Sequence, residues 1–479
     1  MTETASTTGS WRELLGAKYL GTSVVLAGGV ALYATNEFLT SSLLPNTVAE
    51  IGGNRLYAWV TTLYLVGSVV AATLVSPLLV RVGARASYLT GLAVFGVASL
   101  VCGSAPNMEV LIAGRALQGV AGGLLAGLGY AVINTALPRV LWTRAAALVS
   151  ARWGVATVVG PATGGLFAQL GLWRWAFVAM AILTALVAIL VPIALASGRV
   201  DPGGAATKIP VWSLLLLGAA ALAVSVAQLP RNVAATIGLL AAAAVLVGLF
   251  LIVDWRMRAT VLPPSVFGPG PLKWLYLTMA VMMVGAMVTT YVPLFGQRLA
   301  HLTPLTAGFL GAALALGWTV SEIVSASLDN PRTIARVIAG APMVMAAGLA
   351  LGAVTQRDNA SIGIVALWAL ALLVAGIGIG SAWPHLSVRA MDSVDDPSEG
   401  GVAAAAINTV QVISGAFGAG VAGVVVNNAE NRTASVPSGL SDLSDAVAAR
   451  WLFAVFAVVG ALGVVASYRA SNGATRGGR

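Results

Sequence analysis

Charged residues are scarce in this chain. Of its 479 residues only 9% are Asp, Glu, Lys or Arg, whereas 58% are hydrophobic. Ordinary soluble domains carry about 25% charged residues, so this composition argues against a water-soluble protein. It predicts an all-α protein that crosses a lipid bilayer many times.

Cysteine and histidine are almost absent. The single cysteine, Cys102, excludes an internal disulfide and argues against a thiolate metal site. The two histidines, His301 and His385, belong to no catalytic motif, and the chain has no G-x-S-x-G, H-E-x-x-H or G-x-x-x-x-G-K-[ST] stretch. We therefore expect no enzyme activity, no metal and no cofactor.

Apolar runs of about 20 residues are long enough to cross a bilayer as helices. The chain has fourteen such runs, an even number that predicts both termini on one side. Whether the seventh and eighth runs cross separately or form a re-entrant pair stays open. The predicted spans are 19–44, 56–79, 88–106, 109–135, 144–168, 175–197, 211–229, 234–254, 273–297, 305–327, 334–355, 361–387, 401–427 and 449–468.

The net charge of +9 comes from basic residues scattered one or two per short loop. Such a distribution does not predict a nucleic-acid partner. When loops are assigned alternately to two sides, 17 of the 26 Lys and Arg residues fall on the side of the N-terminus. The positive-inside rule therefore predicts a protein of the inner (plasma) membrane with both termini in the cytoplasm.

Four charged residues interrupt the apolar spans: Glu37, Arg115, Arg152 and Glu322. Placing one such charge at the centre of a bilayer costs about 3 kcal/mol on insertion scales, so these side chains should face a wet or paired interior. Two acids and two arginines together suggest the coupling of transport to protons or other ions.

Two spans carry glycine-rich motifs. The fourth reads LIAGRALQGVAGGLLAGLGYAV and places Arg115 and Gln118 three residues apart on one helical face. The fifth reads GVATVVGPATGGL, in which small residues give a thin, bendable helix that could act as a pivot. The residues of this second motif are Gly154, Gly160, Pro161, Gly164 and Gly165.

These two segments resemble the fourth-helix arginine motif and the fifth-helix antiporter motif of the major facilitator superfamily. The fourteen-span layout is similar to its drug:proton antiporter branch, and YVPLFGQ, GIGIGSAWP and GVAAAAINTVQVISGAFG add further matches along nearly the whole chain. The resemblance implies two six-helix bundles plus two extra central helices. The expected parts are residues 1–198, a central two-helix insertion at 199–271, and residues 272–479.

The same resemblance implies the export of small hydrophobic or cationic compounds in exchange for protons by alternating access. A site enclosed between two halves of one chain suits a monomer. Two motifs depart from the family. The loop after the second helix keeps Arg81, Gly83 and Arg85 but lacks the usual aspartate, and Asp329 in the matching loop of the second half is a candidate for a similar role. In the first helix, Asn36 stands where this branch commonly has an aspartate, and Glu37 follows it.

Each acid of the membrane spans shares a helical face with an aromatic ring four residues earlier, Tyr33 before Glu37 and Trp318 before Glu322. An acid beside a ring suits a lipophilic cation, and we predict proton coupling by Glu37, Arg115 and Glu322. A permanent pairing of the acids with the arginines is the alternative. The predicted substrate-binding residues are Tyr33, Asn36, Gln118, Arg152, Tyr291, Gln297, Trp318, Asn408 and Gln411.

Other functions stay open at this stage. Arg152 and the missing gate aspartate favour the export of an envelope lipid or glycolipid. Asn408 and Gln411 could join helices by hydrogen bonds instead of binding substrate. An uptake symporter and a transporter-shaped sensor without turnover are further alternatives.

Overall fold

A computed structural model describes residues 11–72, 74–138, 141–195, 210–230, 232–257, 259–396, 399–433 and 441–472. Within these residues the chain forms fourteen long helical spans and no strand. The first seven are α1 Leu20–Ile51, α2 Tyr57–Ala72, α3 Val75–Gly103, α4 Met108–Ala131, α5 Trp142–Gln169, α6 Trp173–Ala194 and α7 Val211–Val226. The others are α8 Val233–Arg256, α9 Leu272–Ala300, α10 Pro304–Ser325, α11 Pro331–Thr355, α12 Ile362–Asp392, α13 Gly400–Thr433 and α14 Ser441–Asn472.

The chain is a multi-pass membrane protein. Among the described helices, ten are both long and apolar enough to cross a bilayer, and α7 is an apolar helix of 16 residues. Every predicted span corresponds to one helical span, so the predicted all-α architecture of fourteen spans is confirmed. Helices α7 and α8 are two separate helices joined by a short turn.

Two groups of helices can be distinguished by their packing. Helices α1 to α6 pack against one another, and so do α9 to α14. Helix α7 packs against α2 and α13, and α8 packs against the outer side of α7. The predicted boundary after residue 198 lies outside the described residues. We call the end where α1 begins the near end and the end where α1 passes into α2 the far end.

Glycines bring helices into backbone contact at equivalent places in the two groups. A Cβ at Gly119 or Gly123 of α4 would collide with the backbone of α2, and a Cβ at Gly376 or Gly380 of α12 would collide with the backbone of α10. Such close approach is how membrane helices gain packing energy where lipid offers no hydrophobic driving force. The matching contacts agree with two related halves.

The halves meet at the far end. Asn427 of α13 donates a hydrogen bond to the backbone carbonyl of Arg55 at 3.1 Å. Arg298 at the end of α9 donates to the side-chain oxygen of Asn54 at 3.3 Å and pairs with Asp445 at 3.1 Å. These contacts join the two halves across the far end.

A fully buried carboxylate organises the segment between α8 and α9 at the near end. Asp254 accepts hydrogen bonds from the backbone N–H groups of Val261 at 2.8 Å and Leu262 at 2.9 Å. Further along, the Ser265 hydroxyl donates to Glu399 at 2.5 Å, in the segment before α13. The insertion is therefore tied to the second half at this end.

Candidate functional site

A small cleft, with a cavity volume of about 50 Å³, lies between the two halves, next to their far-end contact. Helices α1, α2 and α5 supply one wall, and α9 and α10 supply the other. The lining residues are Glu37, Phe38, Ser41, Ser42, Thr61, Pro161, Met287, Thr289, Thr290, Gly308, Gly311 and Ala312.

Proline shapes two of the helices that line the cleft. Pro45 lies inside α1, and Pro293 follows a 3-10 turn at Met287–Thr290 in the middle of α9. A proline has no N–H to give to the carbonyl four residues earlier, so the carbonyls of Ser41 and Thr289 lose their usual helical donors. In membrane proteins such a loss of helical hydrogen bonds is tolerated where the backbone lines a cavity, and Ser41 and Thr289 both belong to the cleft lining.

Glu37 is the acidic side chain of the cleft lining. Among the described residues it forms no ion pair, although the positive charge of Arg115 acts on it through space. Its side chain is half-buried. The sequence analysis expected Glu37 to face a wet or paired interior, and the structure places it beside the cleft.

Arg115 lies behind α1 and donates to three neutral acceptors. Its guanidinium donates to the side-chain oxygen of Asn36, to the side-chain oxygen of Gln118 at 2.9 Å and to the backbone carbonyl of Val60 at 3.4 Å. Gln118 in turn donates to the Ser99 hydroxyl at 2.9 Å. Three predicted residues, Asn36, Arg115 and Gln118, thus meet in one buried network that holds α1, α2, α3 and α4 together.

The ring of Tyr64 covers the charge of Arg115, with the guanidinium carbon 3.9 Å from the ring centroid. Tyr33 stacks on Tyr64 at 5.3 Å between centroids, and the Tyr64 hydroxyl donates to the Tyr33 carbonyl at 2.8 Å. Tyr33 is only 5% exposed. The predicted aromatic neighbour of Glu37 therefore packs inside the first half and does not line the cleft.

Glu322 occupies a second site close to the near end of α10. Its carboxylate accepts a hydrogen bond from the Trp318 indole N–H at 2.9 Å, and Trp318 packs against Trp383 of α12 at 5.1 Å between centroids. On a helical wheel Glu322 lies on the stripe of α10 that contains Gly308 and Gly311. Glu322 is eleven residues from Gly311, or about 16 Å along the helix, and does not line the cleft.

The predicted antiporter motif packs α5 against both halves. A Cβ at Gly160 or Gly164 would strike residues 38 and 39 of α1, and a Cβ at Gly165 would lie 2.5 Å from the Cα of Leu305 in α10. Pro161, between them, lines the cleft. Gly154 lies within α5, but its contacts and the side chain of Arg152 lie outside what the structure describes.

The remaining predicted binding residues lie away from the cleft lining. Tyr291 is buried and stacks between Tyr57 and Phe295 at the far end. Gln297 is half-buried nearby, whereas on α13 Asn408 is exposed and Gln411 is half-buried.

The predicted gate loop between the second and third spans is mostly helical. It forms the first part of α3, which breaks at Gly83, where φ is +80°. A residue with a side chain rarely adopts this angle, so glycine permits the bend. Arg81 is exposed and Arg85 is half-buried on either side of it. Asp329 is exposed in the loop before α11.

Five hydroxyl residues of the cleft were missed by the sequence interpretation: Ser41, Ser42, Thr61, Thr289 and Thr290. Serine and threonine are common in membrane helices and form no motif by themselves. The one usable signal was the polar stretch Thr289-Thr290 just before Pro293 inside an otherwise apolar span.

Residues 26–419 match the Major Facilitator Superfamily, and the chain therefore belongs to that superfamily. Its members among the proteins compared are transporters, and the chain is accordingly a membrane transporter, not an enzyme.

Two relatives illustrate the range of similarity. A protein of Mycobacterium tuberculosis described as a probable multidrug-efflux transporter is 69% identical over 477 residues, which cover 98% of each chain. The multidrug transporter protein MdtP of Bacillus subtilis is 26% identical over 401 residues, covering 82% of this chain and 73% of MdtP.

Solved structures agree on the fold. A bacterial homologue of the human lysosomal transporter Spinster, in an inward-facing and unoccupied conformation, matches with a TM-score of 0.68 at 14% identity and covers 96% of this chain and 99% of its own. A D-xylose–proton symporter matches with a TM-score of 0.62 at 16% identity, covering 94% and 97%.

Proposed function

We propose that this protein exports small drug-like cations or hydrophobic compounds across the plasma membrane in exchange for protons. The position of Glu37 carries the proposal, because an acid that forms no ion pair among the described residues and lies beside an interbundle cleft can exchange a proton for a cationic substrate. The 69% identity to a protein described as a probable multidrug-efflux transporter supports efflux as the direction.

Alternating access supplies the transport cycle. The described contacts between the halves gather at the far end, which supports a conformation closed there and open toward the near end. With both termini in the cytoplasm, the near end faces inward and receives substrate. Gly160, Pro161, Gly164 and Gly165 then form the seam along which α5 moves against α1 and α10.

Arg115 has a positioning role in this cycle. Its hydrogen bonds fix α1 against α2 and α4, so that Glu37 faces the cleft while the positive charge stays behind it. Glu322 serves as a second proton-linked acid nearer the cytoplasm. Arg81 and Arg85 in the first part of α3 and Asp329 before α11 belong to the segments that meet when the near end closes.

Proteoliposomes provide the test. The purified protein is reconstituted with a trapped pH-sensitive dye, a pH gradient is imposed, and lipophilic cations are added. We expect substrate-dependent proton flux in the wild type, loss of that flux in Glu37→Gln, and normal flux in Glu109→Gln, whose carboxylate is exposed at the start of α4.

Undiminished flux in Glu37→Gln would reject the coupling role. Headgroup-dependent transfer of lipid without flux for any cation would instead support the lipid exporter.

A further inference from the structure

The cleft offers many hydrogen-bond acceptors to a bound molecule. An ionised carboxylate such as that of Glu37 accepts hydrogen bonds and donates none. Pro45 leaves the carbonyl of Ser41 without its usual helical donor. On α9, where Pro293 removes the usual donor, the carbonyl of Thr289 accepts the N–H of Tyr291 and keeps a second lone pair. Ser41 and Thr289 both line the cleft. Acceptors therefore come from α1 on one side and from α9 on the other.

The hydroxyl groups reinforce this bias. The Ser42 hydroxyl donates to the Phe38 carbonyl at 3.1 Å, and the Thr289 hydroxyl donates to the Ala286 carbonyl at 2.8 Å. Because each hydroxyl has only one proton, these two can offer only lone pairs to a ligand.

Two other hydroxyls are uncommitted. Thr61 and Thr290 form no hydrogen bond with the described residues, although Thr290 is only 6% exposed. A hydroxyl that is not committed to a protein partner can bond a ligand, and a ligand that bonds it gains affinity.

Aromatic rings contribute little to the same cleft. Phe38 is the one aromatic side chain in the lining, whereas the rings of Tyr33 and Trp318 pack elsewhere. Recognition of a cation by ring faces, which tolerates fully alkylated ions, is therefore weak here.

We propose that the cleft selects cations that carry N–H donors, such as protonated amines and amidinium-type groups, over fully alkylated cations of the same charge. This rests on the cleft being the substrate site of the proposed function. A fully alkylated ion balances the charge of Glu37 but gives no donor to the carbonyls of Ser41 and Thr289. A site built to hydrogen-bond an NH group rejects an analogue that lacks it, because its own polar groups are then left unpaired.

Two dyes with the same scaffold allow the contribution of the N–H donors to binding to be measured separately. Rhodamine 123 and tetramethylrhodamine methyl ester share ring system, ester and charge, but the first carries N–H groups where the second carries N-methyl groups. Fluorescence anisotropy with the full chain in lipid nanodiscs measures the affinity of each. We expect rhodamine 123 to bind about tenfold more tightly, the size of one charge-assisted hydrogen bond.

Variants separate hydrogen bonding from size. Thr61→Val and Thr290→Val keep the shape of the side chain and remove its hydroxyl. We expect each to weaken rhodamine 123 binding by about threefold to tenfold and to leave the affinity for the tetramethyl dye unchanged. Size-exclusion elution and thermal unfolding at wild-type values establish that the variants are folded.

Equal affinities in the wild type, or binding of neither dye, would overturn the inference. A preference that persists undiminished in both variants would also overturn it, because the extra methyl groups would then be excluded by size. Binding needs no proton gradient, so a retained preference without proton flux would reject antiport alone and leave the selectivity standing.

Discussion

The guanidinium of Arg115 donates its hydrogen bond to the amide oxygen of Asn36 and leaves the neighbouring carboxylate of Glu37 beside the cleft. The side chains of adjacent helical residues point about 100° apart. An acid at position 36 would therefore face Arg115, whereas the acid at position 37 faces the cleft. Among the described residues the acid therefore forms no buried ion pair, and in the proposed function it is the group that meets the cation.

Substitutions at Asn36 test this arrangement. Asn36→Ala removes a buried acceptor of a charged donor and should destabilise the protein by about 1.5–3 kcal/mol, whereas Asn36→Asp should retain wild-type stability because it supplies an ionic partner. Thermal unfolding in detergent measures both.

Asn408→Ala, at an exposed position on α13, is the matched control and should change little. A wild-type midpoint for Asn36→Ala would contradict the anchoring role of Asn36.

The contact between α5 and α10 leads to a second prediction. In Gly165→Ala the new Cβ would lie 2.5 Å from the Cα of Leu305, so the far end should open or shift. Gly238→Ala in α8 meets no atom within 4 Å and serves as the control.

Spin labels at Glu109 and Ile362, exposed at the far end of each half, report the separation. We expect a longer distance in Gly165→Ala than in the wild type or in the control. An unchanged distance together with normal transport would contradict this prediction. It would show that the backbone of α10 moves at Leu305 enough to accommodate the added methyl group.

Long apolar runs and two glycine-rich motifs were enough to predict the helices and the superfamily. The fourth-span motif placed Arg115 and Gln118 on one helical face, and in the structure these two side chains are hydrogen-bonded. The contact of Arg115 with Asn36 of α1 was not predicted. Which helix face meets the cleft was harder to predict. Tyr33 is four residues from Glu37, yet its ring packs on Tyr64 because α2 and α4 approach α1 closely there.

The hydroxyl lining could not be read from one sequence. Thr61 of α2 and Thr290 of α9 are more than two hundred residues apart and meet only through the packing of two halves. The hydrogen bonds of Asp254 and Glu399 could not be predicted from one sequence either. Each carboxylate bonds to a segment whose position at the near end is set by the packing of the helices.

Asp254 should be important for stability at the near end. Its two oxygens accept from two backbone N–H groups, so Asp254→Asn leaves one N–H facing an amide group that cannot accept from it. We expect a loss of about 1–3 kcal/mol and faster cleavage by trypsin after Arg256.

Asp329→Asn, which changes an exposed aspartate, is the control for this loss of charge. Equal cleavage rates in the two variants would show that the α8–α9 segment does not depend on Asp254.

The two membrane acids should behave differently when each is replaced by glutamine. Glu322 receives its hydrogen bond from Trp318, and a glutamine oxygen can accept the same bond, so Glu322→Gln should unfold at the wild-type temperature. Glu37 lines the cleft and Glu322 lies about 16 Å further along, so we expect Glu37→Gln to abolish cation binding and Glu322→Gln to weaken it by no more than about threefold. Rhodamine 123 affinity in nanodiscs, measured beside Glu109→Gln, gives the comparison. Loss of binding in Glu322→Gln with full binding in Glu37→Gln would move the cation site to the near end of α10, beside Trp318 and Trp383.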